Sequence, residues 1–361
     1  MKPDHFYLPA LQRYHLCFVG FLTTMFVSVM FMSVRLQGLG TLDEDFFQKN
    51  FLLGSFNRLR MKIGDRVFNN VLVGKDGWLQ FTGDHNLDDY QNALNFSAAE
   101  LRTVAATIQA CHQYARERNM TFLIVVPPNK ASIYPDKMPE QMQPVVDLSR
   151  IDQLNNYLRT HNIPEVVDLR PALREARQQQ DVYYKLGTHW NEYGAYIAYD
   201  TIIHTLAKDY PDLEPYSAKF LRFRRNPAEL LWRGDIDTAR ILQLNHLSLE
   251  PTLFFTRNLG EVYSTIDFPN ANTTYSYHRV SWIPDSRLPS LLIYHDSFGD
   301  VGLNNFLGLS FSKVHYIHRN SAPAFLNWKT IEQFSPDIIL FEIVERNLMG
   351  IQSEIAGCTK V

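Results

Sequence analysis

Cysteine is scarce in this chain, and its spacing carries no pattern. Cys17, Cys111 and Cys358 are the only three, and their separations fit neither a metal-binding cluster nor a small disulfide scaffold. No metal and no disulfide framework is expected from them, and cysteine usage leaves the redox compartment open. Cys17 falls in an apolar run and Cys111 on the apolar face of a helix, which suits structural roles. An excess of positive charge is missing too. Lys and Arg number 35 against 38 Asp and Glu, a formal net charge of −3, so nothing global points to nucleic acid. The sequence has no internal repeat, no low-complexity tract and only one long uncharged apolar run. With 361 residues, 45% hydrophobic and 20% charged, it suits one large or two small globular units.

The single apolar run is "LCFVGFLTTMFVSVMFMSV", residues 16–34. As a helix it would span about 28 Å, close to the ~30 Å hydrocarbon core of a bilayer. Lys2 and Arg13 precede it, and Arg35, Asp43, Glu44 and Asp45 follow. That balance places residues 1–15 in the cytoplasm and the bulk of the chain outside. A cleaved signal peptide is the alternative, but no small-x-small cleavage site follows. Residues 35–70 are expected to form a juxtamembrane connector.

From residue 71 onward the pattern alternates. "VLVGKDGWLQF" (71–81) predicts a hairpin turning at Lys75-Asp76-Gly77. "SAAELRTVAATIQACHQYARER" opens with a Ser97 to Glu100 capping box ahead of apolar residues at helical spacing. "TFLIVVPP" (121–128) is a continuous apolar run ended by prolines, as in a buried parallel strand. Further strands are expected at 165–169, 290–295 and 337–344, with helices between them. Such alternation implies an α/β fold with a central mostly parallel sheet, and active groups at the carboxyl ends of its strands. Residues 211–285 are irregular and rich in Pro, Asn and Arg, and form either an insertion over the site or a small subdomain.

Two segments bear residues suited to chemistry. In "LLIYHDSFGD" (291–300) an apolar strand runs into Ser297 just before a helix, which exposes a hydroxyl at the sheet edge beside free backbone N–H groups. The plain alternative is that Ser297 only caps the helix. In "YKLGTHWNEYGAY" (184–196) His189 stands before a helix start; it is either a general base or a buried histidine satisfied by a carbonyl. Together, a strand-end serine and a loop histidine are what serine acyl chemistry requires. "FLRFRRN" (220–226) gathers Arg222, Arg224 and Arg225, either a contact for an anionic glycan or headgroup, or plain solvated charge. Asn129 and Lys130 follow a strand's carboxyl end, where they can line a cleft or simply serve a proline-rich turn.

The ordered stretches "VGKDGW" (73–78), "VVPPNKASIYPDKMP" (125–139), "YYKLGTHWNEYGAY" (183–196), "YHDSFG" (294–299) and "PDIILFEIVERNL" (336–348) resemble the SGNH-hydrolase-like proteins of alginate and related exopolysaccharide O-acetylation. The resemblance implies a circularly permuted SGNH-hydrolase-like domain over 71–361, periplasmic and carried by one N-terminal transmembrane helix. It implies Ser297 as nucleophile and His189 as base, with oxyanion and substrate contacts from Phe298, Arg346 and Asn347. The sequence departs from the family at Gly187, where the family's Asp-x-His motif carries the triad aspartate. Asp168, Glu192 and Asp296 are the carboxylates considered as substitutes, beside a backbone carbonyl.

The expected function is therefore O-acetyl transfer to hydroxyls of a cell-surface or exported polysaccharide through a serine acyl-enzyme, with no cofactor. A membrane-bound O-acyltransferase would supply the acetyl group. The alternatives are a non-catalytic glycan-binding scaffold subunit, which Gly187 favours, and a carbohydrate esterase.

Overall fold

The computed structural model describes residues 10–37, 49–217, 221–225, 236–244, 253–257, 264–269, 277–283, 287–319, 326 and 328–359. These fall into two units: residues up to 65 with 242–244, and the remainder. The first unit contains helices Ala10–Gln37 and Lys49–Lys62. Phe18, Val19, Phe21, Phe26 and Phe31 of the former expose more than a third of their surface. Among the described residues no helix is long and apolar enough to cross a membrane. Residues 38–48 of the expected connector lie outside the described residues.

In the second unit the strands are β1 (Val67–Phe68), β2 (Val71–Val73), β3 (Leu79–Phe81), β4 (Thr121–Val126), β5 (Val167–Asp168), β6 (Leu221–Arg225), β7 (Leu253–Arg257), β8 (Ser264–Pro269), β9 (Tyr277–Trp282), β10 (Ser290–His295), β11 (Lys313–His318) and β12 (Ile338–Glu342). β1, β2 and β3 form an antiparallel sheet whose second hairpin turns through Lys75–Gly77, with Asp76 and Gly77 at positive φ. The seven-stranded central sheet runs β5-β4-β12-β10-β11-β9-β8. Its first five strands are parallel, and β9 and β8 extend it antiparallel.

Alternating side chains explain why the parallel core is buried on both faces. Leu123, Val125, Leu291, Ile293, Ile338 and Leu340 pack on one face against helices Arg170–Ala176 and Glu192–Leu206. Their neighbours Phe122, Ile124, Val126, Leu292, Tyr294, Ile339 and Phe341 pack on the other against helices Ala98–Arg116, Arg150–Thr160 and Ile351–Ile355. Ser97 and Glu100 make the expected capping box.

Two expectations are corrected. The segment 211–285, expected to be irregular, supplies β8 and β9 to the central sheet with its described residues, besides the β6-β7 ribbon. The β8 and β9 sequences, STIDFP and YHRVSW, mix polar and apolar residues and lack the unbroken apolar runs of the parallel core. The side chains of Arg222, Arg224 and Arg225 on β6 lie outside the described residues. The second correction concerns cysteine. Cys111 and Cys358 form a disulfide with Cα atoms 4.9 Å apart, across 247 residues of sequence. Spacing alone cannot find such a bond, since the packing of the last helices against Ala98–Arg116 creates it.

In the chain-entropy view, closing so long a loop stabilises the fold by up to about 5 kcal/mol. Under denaturing, non-reducing alkylation, one thiol per chain should react, and Cys358→Ser should lower the thermal midpoint by several degrees. Three alkylated thiols would contradict the pairing.

Candidate active site

The carboxyl end of β10 leads through Asp296 into Ser297 and Phe298, and then into an irregular turn over Gly299–Leu303. Gly302 sits at φ 88°, open to glycine at little strain; a Cβ there would also meet the Ala195 Cβ at 2.8 Å. A Cβ on Gly299 would strike the His295 Cβ at 2.6 Å and its ring at 2.7 Å. The close turn after the serine thus depends on both glycines.

The histidine loop is pinned at both ends. Tyr183 and Trp190 form an antiparallel bridge, in which the Tyr184 N–H donates to the His189 carbonyl at 3.1 Å and the Asn191 N–H to the Val182 carbonyl at 3.0 Å. Asn191 then caps helix Glu192–Leu206 by accepting from the Gly194 N–H at 3.0 Å. Between these anchors the loop's carbonyls turn inward. The buried Lys130 ammonium donates to the carbonyls of Tyr184 (3.1 Å), Lys185 (3.3 Å) and Gly187 (2.5 Å). Burial pulls the Lys130 amine down to about 7, with Asp237 partly offsetting that.

The two segments meet. Trp190 donates its indole N–H to the carbonyls of Val301 (2.7 Å) and Phe298 (3.2 Å). Phe298, fully buried, packs edge-on against Trp190 at 5.0 Å and lies 4.8 Å from the His189 ring. His189 Nε2 lies 2.9 Å from Ser297 Oγ, although the residues are 108 apart in sequence.

The other ring nitrogen, His189 Nδ1, lies 3.0 Å from Asp237 Oδ2. The approach is close but angled off the hydrogen-bond line, so Nδ1 makes no hydrogen bond in this arrangement. Asp237 begins helix Asp237–Ile241, and its Oδ1 accepts from the N–H groups of Thr188 (2.7 Å) and Thr238 (2.6 Å). Burial alone would raise its carboxyl, but His189, the Thr188 N–H and the Lys130 charge outweigh that and hold it below the usual range. A carboxylate in this position can fix the imidazole tautomer and stabilise an imidazolium.

The sequence did not single out Asp237. It lies in the irregular segment, and an aspartate opening a short helix was its only signal. The three carboxylates that were singled out stand elsewhere. Asp168 binds the Arg170 guanidinium at 2.7 Å and the Arg170 N–H at 2.9 Å. Asp296 accepts from the N–H groups of Phe298 (2.8 Å) and Val344 (3.0 Å), and its own N–H donates to Glu342 at 2.7 Å. Burial pushes the Asp296 carboxyl up, but Arg319 and these donors more than reverse it, while burial and Asp296 push Glu342 well up. Glu192 lines the neighbouring cleft with Gly302.

The oxyanion expectation shifts as well. The Phe298 N–H is committed to Asp296 Oδ1 and the Gly299 N–H to the Asp296 carbonyl at 3.1 Å. Arg346 stands over the Phe298 ring at 5.8 Å, and its buried Nε makes no hydrogen bond but lies at ion-pair distance, 3.7 Å, from Asp84. The Asn347 N–H donates to the Val344 carbonyl at 2.9 Å, within the turn Glu345–Gly350.

One further cluster adjoins the serine. His295, Asp300 and His318 bring one potential ligand atom each within 4.8 Å of one another. Both ring nitrogens of His295 already have partners: Nδ1 donates to the Asp296 carbonyl at 2.9 Å, and Asn304 Nδ2 lies 3.2 Å from Nε2.

The family model for the SGNH hydrolase-like domain of the acetyltransferase AlgX matches residues 71–255, just over half of the chain. A Pseudomonas syringae pv. tomato protein named "Probable alginate O-acetylase AlgJ" is 24% identical over 196 residues, 54% of this chain and 48% of its own length. The Pseudomonas aeruginosa protein of the same name is 27% identical over 125 residues, 35% and 30% of the two chains. This chain therefore spans about half or less of the curated relatives it matches. Bacillus cereus PatB1, solved with a sulfonyl adduct, aligns with a TM-score of 0.56 at 15% identity, covering 79% of this chain and 99% of that one. A DHHW family protein of Eubacterium siraeum aligns with a TM-score of 0.54 at 14% identity, covering 81% and 97%. These two likenesses establish the fold.

Two predictions follow from the geometry. Asp237→Asn should slow sulfonylation of Ser297 by a sulfonyl fluoride about 10³-fold or more, read by intact mass, as loss of a triad carboxylate does. Asp168→Asn should change that rate by no more than a few-fold, and equal effects would deny Asp237 its role. The second concerns pH. Burial pulls His295 and His112 down to about 4, so below about 6.5 the unfolded chain binds protons that the native one does not. Their stabilisation is whole above pH 6.5 and is lost as pH falls towards 4, on the order of 3 kcal/mol for His295. Denaturant titrations at pH 7.5 and 4.5 should show that loss, and His112→Phe should shrink it; equal stability at both pH values would contradict the assignment.

Proposed function

This chain belongs to the SGNH hydrolase-like domain family of the acetyltransferase AlgX, and from that membership we propose that it transfers acetyl groups to hydroxyls of a cell-surface or exported polysaccharide. The observation that carries the reading is the 2.9 Å contact between Ser297 Oγ and His189 Nε2, backed by Asp237 at 3.0 Å from Nδ1. The names of the AlgJ relatives support polysaccharide acetylation as the class of reaction.

In the proposed cycle Ser297 Oγ attacks the donor's acetyl carbonyl while His189 Nε2 takes the hydroxyl proton. The donor's leaving group departs with that proton, and Ser297 is left as an acetyl ester. A sugar hydroxyl then attacks the ester and gives its proton to His189, which returns it to Ser297 as the acetylated glycan leaves. Asp237 keeps the imidazole in the productive tautomer throughout. Arg346 is the proposed charge facing the tetrahedral oxyanion, since its Nε is buried beside Phe298 with no other hydrogen bond. Asp237 beside His189 supports the catalytic reading over the scaffold alternative that Gly187 favours.

We further propose that residues 16–34 anchor the protein in the inner membrane with the main domain outside the cytoplasm. The uncharged run, the helix Ala10–Gln37 and its exposed Phe side chains support the anchor. The Cys111–Cys358 bond supports an oxidising compartment. A membrane-bound O-acyltransferase is the proposed source of acetyl groups, as the resemblance to the exopolysaccharide O-acetylation proteins implies.

Incubation with p-nitrophenyl acetate tests the reading. Ser297-dependent release of p-nitrophenol that rises when oligosaccharide is added, with acetylated sugar as product, is expected. Release that ignores the acceptor would make the protein an esterase, and release unchanged in Ser297→Ala would end the proposal.

A further inference from the structure

A cleft of about 420 Å³ opens beside the reacting pair, within the roughly 300–1,000 Å³ usual for small-molecule sites. Its walls come from both catalytic segments: His295 and Asp300–Gly302 flank Ser297 in sequence, and Tyr184 and Glu192 flank His189. A molecule in the cleft therefore lies among the sequence neighbours of Ser297 and His189, although neither of those two residues is itself part of the lining. The lining is an aromatic ring with carboxylates and amides, which suits a sugar. Carboxylates accept from hydroxyl pairs, the Asn304 and Asn305 amides both donate and accept, and Tyr184 offers a ring edge.

The charge of the lining is lopsided. Among the described residues that line it, Glu192 and Asp300 are acidic and Arg279 is the one Arg or Lys. Burial disfavours the charged form of both His295 and His318. Asp300 faces both rings, 3.5 Å from His318 Nε2 and 3.9 Å from His295 Nδ1. Its carboxyl is already raised by burial, and an anion placed alongside would be repelled or would force a proton onto it. A polyuronate brings one negative charge per sugar and meets two carboxylates against one cation. A neutral glycan meets hydrogen-bonding groups and no opposing charge.

We propose that this cleft is the acceptor subsite and that it selects a neutral polysaccharide over a polyuronate such as alginate. The inference rests on the acetyl-transfer reading for the subsite's role, but its binding claim stands apart from turnover. The relatives named for alginate span only part of this chain, so their substrate does not transfer to it.

The test uses the full chain as Ser297→Ala, so that nothing is turned over. Binding of neutral hexasaccharides (β-1,4-glucan, mannan and xylan) and of a mannuronate hexamer is measured by saturation-transfer NMR and calorimetry at low and high salt. The best neutral hexamer should bind at least about tenfold tighter than the mannuronate. High salt should narrow that gap, because screening weakens the repulsion. Glu192→Gln should weaken the neutral hexamer and improve the relative standing of the mannuronate. Mannuronate binding equal to or tighter than every neutral hexamer would overturn the inference, as would no binding of any of them. Ser297-dependent turnover of p-nitrophenyl acetate by the unmodified chain is read in parallel. Its loss would sink acetyl transfer alone, whereas its presence with mannuronate preference would sink the neutral-acceptor inference alone.

Discussion

The indole N–H of Trp190, lodged between the carbonyls of Phe298 and Val301, joins two stretches of chain that would otherwise be independent. One is the strand-to-turn exit of β10, the other the loop that enters helix Glu192–Leu206. Phe298 fills the space between them and touches both Trp190 and His189. With the tryptophan seated, the imidazole next to it can reach the serine next to Phe298. The sheet makes this possible because β10 is an interior parallel strand, flanked by β12 and β11, whose carboxyl end cannot shift without disturbing both neighbours. The site is rigid where it must be, on a strand end, and depends on a loop only for the base.

That loop is held from beneath by an unusual device. A buried lysine points its ammonium at three of the loop's carbonyls, replacing the water that those oxygens would otherwise bind. The arrangement costs desolvation of a charge, and the nearby Asp237 repays part of it electrostatically. Asp237 thereby serves two neighbours: it offsets Lys130 and it faces His189. Gly187, two residues before the histidine, offers no carboxylate, and the one that lies 3.0 Å from the imidazole Nδ1 comes from a different segment of chain.

Much of this was legible in the sequence, and the failures have physical causes. The parallel strands announced themselves because burial on both faces leaves unbroken apolar runs such as "FLIVV" and "LLIY". Ser297 and His189 were visible because a strand running into Asp-Ser and a histidine before a helix cap are local patterns. Asp237 was invisible because its partnership with His189 is purely tertiary, with no fixed spacing to search for. The Cys111–Cys358 bond was invisible for the same reason. Strands β8 and β9 escaped because antiparallel pairing at this end of the sheet needs backbone groups rather than an unbroken hydrophobic run. Backbone N–H groups after Ser297, that of Phe298 among them, were expected to be free for an oxyanion; Asp296 accepts from the N–H groups of Phe298 and Gly299, since an aspartate one step before the serine is well placed to cap the turn.

The central claim is that an acetyl group passes through the Ser297 hydroxyl under control of His189. Rapid-quench peptide mass spectrometry after mixing the full chain with an activated acetyl donor reads that most directly. The account predicts an acetyl increment confined to the peptide that contains Ser297, disappearing when oligosaccharide is added and much slower to form in His189→Ala. Acetylated product forming while that peptide stays unmodified would contradict it.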